Sequence, residues 1–341
     1  MKYLVTGGCG FVGSNLSAEV LRRGEQLYVF DNLSRAGSTQ NLAWLRGQGE
    51  FEFFHGDVRS RHDIDRAVEL VKPDVVFHLA GQVAMTTSVE QPFKDFEINA
   101  MGTVSVLEAV RKHCPEAAIL YSSTNKVYGD LEDLRYNELE TRYECVDYPK
   151  GLPETLPLDF STPYGCSKGA ADQYVRDYHR MYGLKTVVFR HSSMYGGGQY
   201  PTFDQGWVGW FTMQALRTKE DPNHRFTVAG NGKQVRDLLH AEDVVRLYFS
   251  AAERIDTVAG GVYNVGGGVQ NAFSIQELLD QLSAELHVDL VPEHLEARRR
   301  DQKVFVASND MIEGAVSWVP RVKPEVGVKT LMGWLSTYRS V

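Results

Sequence analysis

Six short runs dominated by apolar residues, at positions 3–5, 27–30, 51–54, 75–79, 119–121 and 186–189, alternate with amphipathic stretches at 11–23, 61–71, 96–113 and 164–182. Runs of this kind must be covered on both faces, because they lack the regular polar alternation of a half-wet antiparallel strand. The stretches between them have helical period and supply the cover, so the chain is expected to build a parallel sheet flanked by helices. The fold class is therefore α/β, a doubly wound parallel-sheet Rossmann domain. After residue 190 the alternation stops, and Gly and aromatic residues crowd positions 195–211. Helical patterns return at 241–252 and 274–286, the second opened by Ser274 with Glu277 three residues on, a capping-box signature. Residues 1–189, rejoined by about 234–265, are expected to form the Rossmann domain. Residues 190–341 are expected to add a smaller mixed α/β lobe. The insertion 131–160 is polar, acidic and tyrosine-bearing; it reads as a surface loop of a length that compact domains often put to functional use.

Gly7-Gly8-Cys9-Gly10-Phe11-Val12-Gly13 follows the first apolar run and opens the first helical stretch. Glycines at 7, 10 and 13 permit a tight turn, close backbone approach to a pyrophosphate and close helix packing. Phe11 and Val12 then begin a helix whose N-terminus favours anionic phosphates. Asp31 closes the next run, 24 positions after Gly7. A carboxylate there accepts hydrogen bonds from ribose hydroxyls and repels a 2′-phosphate, which favours NAD over NADP; Arg35 is the nearby cation that argues the other way. Asp57 and Val58 follow the third run, and Leu79 and Ala80 the fourth, at the sheet edge where ligands of such folds bind. Asp57 suits the adenine amino group, with plain strand-end turns as the alternative.

Tyr164 and Lys168 stand four apart in a helical stretch and share one face. A fixed ammonium beside a phenol favours the phenolate and draws an acid constant of about 10 towards the working range. The expectation is a tyrosine base lowered by its lysine.

A net charge of −8 argues against nucleic acid and against a membrane surface as partners. The run Arg298-Arg299-Arg300 is either a local phosphate pocket or a solvated face. Cys9, Cys114, Cys145 and Cys166 are scattered without paired spacing, so free thiols and no metal site are expected. No run approaches the length of a membrane span, and a cytoplasmic location is expected.

In this order, the Gly7/Gly10/Gly13 loop, Asp31, Asp57, Tyr121-Ser122-Ser123-Thr124, Tyr164 with Lys168, and the segment Asn231-Gly232-Lys233-Gln234-Val235-Arg236-Asp237 resemble the extended short-chain dehydrogenase/reductase family. The resemblance implies three catalytic residues. Thr124 would hold the reacting hydroxyl, Tyr164 would act as acid and base, and Lys168 would bind the nicotinamide ribose. It implies that Asn32, Ser34, Arg35, Gln82, Asn99, Ser122 and His191 join the residues above in lining NAD. It also implies that Arg236, Arg298 and Asp301 meet the diphosphate of a nucleotide sugar. Dehydratases of the family carry an acidic pair after the threonine; this chain has Asn125-Lys126, so water elimination lacks its groups.

Stretches 78–88, 122–130, 191–197 and 204–211 resemble the branch of that family that inverts C2 of a CDP-linked hexose through a transient ketone. This implies a CDP-sugar substrate and a homodimer joined through 96–113 and 164–182. It places Gln82, Met85, Thr86, Thr124, Asn125, Ser193, Gln199 and Gln205 around the sugar or nucleotide. One departure is Gly198, where the branch is expected to carry an arginine. The residues themselves leave C2 against C4 open, since a nucleotide-sugar 4-epimerase uses the same three catalytic groups. From a different class, a non-catalytic NAD-binding sensor or scaffold shares the fold. His78 and His191 border apolar runs and read as structural as well. Met85 and Tyr195 read equally as packing, and Trp207 and Trp210, three apart, read as packing of the smaller lobe before base stacking.

Overall fold

A computed structural model describes residues 1–298 and 300–339. Seven strands form one sheet: β1 (Lys2–Thr6), β2 (Gln26–Asp31), β3 (Glu52–His55), β4 (Val75–His78), β5 (Ala118–Thr124), β6 (Lys185–His191) and β7 (Val262–Val265). Their order is β7-β6-β5-β4-β1-β2-β3, parallel throughout. The order reverses between β1 and β4, which opens a crevice at the carboxyl ends of those two strands.

Pleating sends alternate residues to opposite faces. Tyr3 and Val5 of β1 pack with α1 (Phe11–Arg22) on one side, and Leu4 packs on the other with α2 (Arg61–Val71), α3 (Gly102–His113) and α4 (Thr162–Tyr182). A fifth helix, α5 (Ala241–Glu253), joins α1 and brings Phe249 over Tyr3, with ring centroids 5.6 Å apart. Thus the chain returns to the large sheet twice after residue 240, through α5 and β7. Strand Val235–His240, just before that return, pairs instead with Ser193–Tyr195, Ala272–Ser274 and Val304–Phe305 in a smaller sheet. Helices Trp207–Glu220, Ile275–Leu286 and Pro324–Arg339 enclose the second core beside that sheet. The Ser274–Glu277 capping box forms as expected.

Two expected elements differ. The stretch 96–113 is a longer helical run: Pro92–Phe96 is α, Glu97–Met101 widens to a π turn, and α3 follows. The insertion 131–160 is docked, not a loose loop. Its hairpin Tyr136–Glu138/Tyr143–Cys145 lies on the smaller sheet, where Tyr143 N donates to Lys233 O (2.9 Å) and Arg142 Nε to Glu277 Oε1 (2.6 Å). Among the described residues all four cysteines are free. No described helix is long and apolar enough to cross a membrane.

Candidate active site

The crevice is built from the turns after β1, β2 and β4 and from the start of α4. Gly7 has φ +69°, and a Cβ there would lie 2.7 Å from Ala80 N, so only glycine lets the two strand ends close. Gly10 precedes α1 as its N-cap without a side-chain partner, leaving the first amides of Phe11, Val12 and Gly13 for an anion. Asp31 is buried, accepts from Cys9 N (2.9 Å) and Leu33 N (2.7 Å), and burial pushes its carboxyl up. Asn32 Nδ2 donates to Asp57 Oδ2 (2.8 Å), and its own Oδ1 accepts from Ser34 N (3.0 Å). Burial opposes ionisation of Asp57, but Arg59 and Asn32 outweigh it and hold the carboxyl down at about 2. Arg35 is desolvated and faces Asp204 of the smaller lobe. Val58 and Leu79 lie in the cores behind these turns.

Deeper in, Thr124 ends β5, opposite His191 at the end of β6. Tyr164 and Lys168 emerge from the first turns of α4, which starts after Ser161 with a proline in its first turn. All three side chains are buried. Lys168 Nζ donates to Ser122 O (2.5 Å) and sits 4.4 Å from the Tyr121 ring centroid. Burial pushes the Tyr164 phenol up to about 12; the Thr124 hydroxyl favours the phenolate and Asp95 opposes it. Burial pushes Lys168 down to about 7, with Asp95 and Asp172 pulling it back. The expected depression of the tyrosine by its lysine is thus reversed in the protein alone. Desolvation wins, and the ammonium is engaged by a carbonyl and a ring instead of the phenol.

His78 bonds Thr6 Oγ1 (2.7 Å) and Thr103 Oγ1 (3.0 Å), and burial drives it down to about 3, which makes it a neutral structural group. His191 is also neutral for the same reason; its Nε2 meets Tyr248 Oη at 3.0 Å, and its buried Nδ1 lacks a partner in the protein. That orphaned nitrogen, the glycine cradle and the uncapped α1 amides together fit a dinucleotide.

The expected substrate residues divide into two groups. Lys126 Nζ (3.0 Å) and Arg236 Nη2 (2.8 Å) share Asp301 Oδ1, with Arg298 close enough to act on both Asp301 and Lys126. Burial raises Asp301, but Lys126 and Arg236 prevail and hold it well below the carboxylate range. Three cations around one anion leave net positive charge for a diphosphate. Arg298 Nη2 reaches Phe203 O (3.3 Å) on the loop before helix Trp207–Glu220. Arg300 turns away to Asp130 and Arg299 lies outside the described residues.

In the second group, several side chains face inward. Gln82 is buried, with Nε2 on Ala84 O (2.7 Å) and Asp95 Oδ1 (2.9 Å), so its amide shapes the loop instead of facing a sugar. Asn125 Nδ2 is taken by Gln302 Oε1 (3.0 Å), and Ser193 Oγ by Trp207 Nε1 (3.0 Å). Gln199 Nε2 holds Met194 O (3.2 Å), and Gln205 pairs with Thr202 through the backbone. Tyr195 is fully buried packing. Met85 opens a short helix, Met85–Glu90, whose Thr86 Oγ1 contacts Asp204 Oδ2 at 3.3 Å, joining the two walls of the cleft. Gly198 has φ +81°, with Ser14 Oγ 3.2 Å from where a Cβ would stand, so an arginine here would be strained. Sequence reading passed over Asp95, the Asp172–Arg190 pair and Lys126 as a cation of the cleft. None carries a local signature, because each gains meaning from partners far away in the chain.

The family model for the NAD dependent epimerase/dehydratase family matches residues 3–266. A CDP-paratose 2-epimerase of Salmonella typhi is 54% identical over 337 residues, spanning 99% of this chain and all of that protein. The UDP-glucose 4-epimerase of Thermotoga maritima, solved with UDP-glucose, superposes with a TM-score of 0.84 at 27% identity, covering 99% of this chain and 100% of that one. The UDP-glucose 4-epimerase of Thermus thermophilus, solved with NAD, gives 0.80 at 27% identity, covering 98% and 99%.

Proposed function

From the premise that the chain belongs to the NAD dependent epimerase/dehydratase family, we propose that it inverts C2 of a CDP-linked hexose through a 2-keto sugar. The observation that carries the choice of carbon is end-to-end similarity to a CDP-paratose 2-epimerase, at an identity well above that to the 4-epimerases. NAD, when bound, supplies a hydride acceptor that becomes the hydride donor for the return step. The Gly7 turn, the first amides of α1, Asp31 and Lys168 are the groups that would hold it.

Tyr164 removes the proton of the C2 hydroxyl and gives one back to the same oxygen after the sugar has turned its other face. Thr124, beside the phenol, favours the phenolate and steadies the oxygen as charge develops. Lys126, Arg236 and Arg298 keep the diphosphate anchored while the sugar swings. Asn125 and Lys126 leave no acid beside Thr124 to drive elimination, so inversion is the outcome. The working unit is a homodimer in the cytoplasm. Exposed Phe96, Met101, Tyr174, Met181 and Tyr182 lie along 96–113 and 164–182, the stretches expected to meet a second copy, and support that assembly.

Incubation of purified protein with CDP-paratose and CDP-glucose, followed by NMR of the products, tests the reading. C2-inverted sugar is expected, with the deuterium retained at C2 when the substrate carries it there, and a C4-inverted product overturns it. Tyr164→Phe should lower kcat by roughly 10²–10⁴-fold.

A further inference from the structure

Asp95 lies within the short helix Pro92–Phe96 and is 1% exposed. Its Oδ1 accepts from Gln82 Nε2 (2.9 Å) and Asn99 Nδ2 (3.2 Å), and its Oδ2 from the Ser167 hydroxyl. Asn99 in turn holds the backbone of Gln82 at both ends: its Oδ1 accepts from Gln82 N (2.9 Å) and its Nδ2 donates to Gln82 O (3.1 Å). The π turn Glu97–Met101 carries Asn99, and widened turns of this kind often mark functional positions. A Cβ on Gly81 would lie 3.1 Å from Asn99 Oδ1 and 3.7 Å from Lys168 Nζ, which places this ring of polar groups against the catalytic lysine. Among the described residues the side-chain donors to Asp95 (Gln82, Asn99 and Ser167) are all neutral.

The other carboxylate near Lys168 is differently placed. Asp172 is gripped by Arg190 through Nε (2.8 Å) and Nη2 (3.0 Å) and by Ser123 Oγ (2.9 Å), so its charge is already answered. The remaining titratable neighbours are Tyr164 and Tyr121, both pushed up by burial, and the neutral imidazoles of His78 and His191. A buried carboxylate with only neutral donors is costly unless a nearby cation compensates it. The Lys168 ammonium is that cation, and each group favours the charged form of the other.

We propose that Asp95 is a positioning residue of the hydride-transfer site: its carboxylate sets the loop at Gln82 and the start of α4, and supplies the counter-charge that keeps Lys168 a cation. This rests on the reading that Tyr164 and Lys168 carry the chemistry. Removing one negative charge favours the deprotonated form of both neighbours. In Asp95→Asn both limbs of the kcat–pH profile, which Tyr164 and Lys168 set between them, therefore move together to lower pH, by about one unit. Asp95→Glu, which keeps the charge, restores the limbs. A purely structural role would lower the whole profile without moving it.

The decisive measurement needs no substrate. Competitive acetylation of the full-length protein across pH, read at Lys168 by mass spectrometry, reports the lysine's own titration. A half-reaction pH at least half a unit lower in Asp95→Asn than in wild type is expected, and an unchanged value overturns the proposal. Asp95→Ser makes the same charge deletion if the asparagine variant does not fold. Wild-type protein inert on CDP-hexoses would sink the functional reading alone and leave the acetylation result standing.

Discussion

Burial makes Tyr164 and Lys168 harder to charge, and this has a consequence for stability. Lys168 titrates at about 7 in the folded protein, against the ordinary lysine value in the unfolded chain. Between those two points the unfolded chain binds more protons, so stability rises with pH across the window and the full penalty falls below it. Lys168→Met removes the penalty. The variant should be more stable than wild type at neutral pH by on the order of a few kcal/mol, with a flatter pH dependence, while losing turnover and cofactor retention. Urea midpoints from pH 6 to 10 measure this; a variant less stable than wild type at pH 7 refutes it. At this scale the sequence revealed residue types well and environments poorly. Gly7 and Asp31 lie at neighbouring strand ends, and Thr124 lies beside Tyr164. The shift of Tyr164 had the opposite sign, because its solvent exclusion depends on packing that no local motif encodes.

Elements were legible where hydrophobic period decides them and less so where polar residues complete a strand. The apolar run of β5 ends at Tyr121, yet the strand continues to Thr124, because Ser122, Ser123 and Thr124 pair with Phe189, Arg190 and His191. That extension carries Thr124 to the cleft. The π turn Glu97–Met101 has no residue signature of its own and reads as ordinary helix in so short a stretch. Helix α4 is aligned by a buried pair that period could not reveal either. Asp172 ties it to Arg190 on β6 and to Ser123 on β5, and Arg190 Nη1 reaches Tyr128 Oη at 2.9 Å. Asp172→Ala leaves that guanidinium buried without its anion. A loss of about 3–5 kcal/mol is expected in urea unfolding. A loss under about 1 kcal/mol would show that α4 is held by its apolar face alone.

Across the whole molecule, the two lobes meet in charge as well as in chain. Lys126 follows β5 of the large sheet, Arg236 lies on the smaller sheet, and Asp301 sits before Val304–Phe305, so one carboxylate joins cations more than a hundred residues apart from one another. The Arg-x-x-Asp spacing from Arg298 to Asp301 was visible in sequence; the pairing with Lys126 was not, because only the fold brings 126 and 301 together. With Asp301 answering one of three positive charges, the proposed diphosphate would complete the cluster and hold the lobes against each other. CDP alone should therefore raise the unfolding temperature, by an amount equivalent to about 2.7 kcal/mol at a hundred times its Kd. Arg236→Ala removes a charge-assisted donor worth about 1.5–3 kcal/mol, so the Kd for CDP should rise roughly ten- to hundredfold. KM should rise in step while kcat stays closer to wild type, since the lost contact is the same in ground and transition states. Calorimetric titration with CDP and thermal shift in its presence read both effects. An unchanged Kd would mean that the diphosphate binds elsewhere and that the three cations serve only to join the lobes.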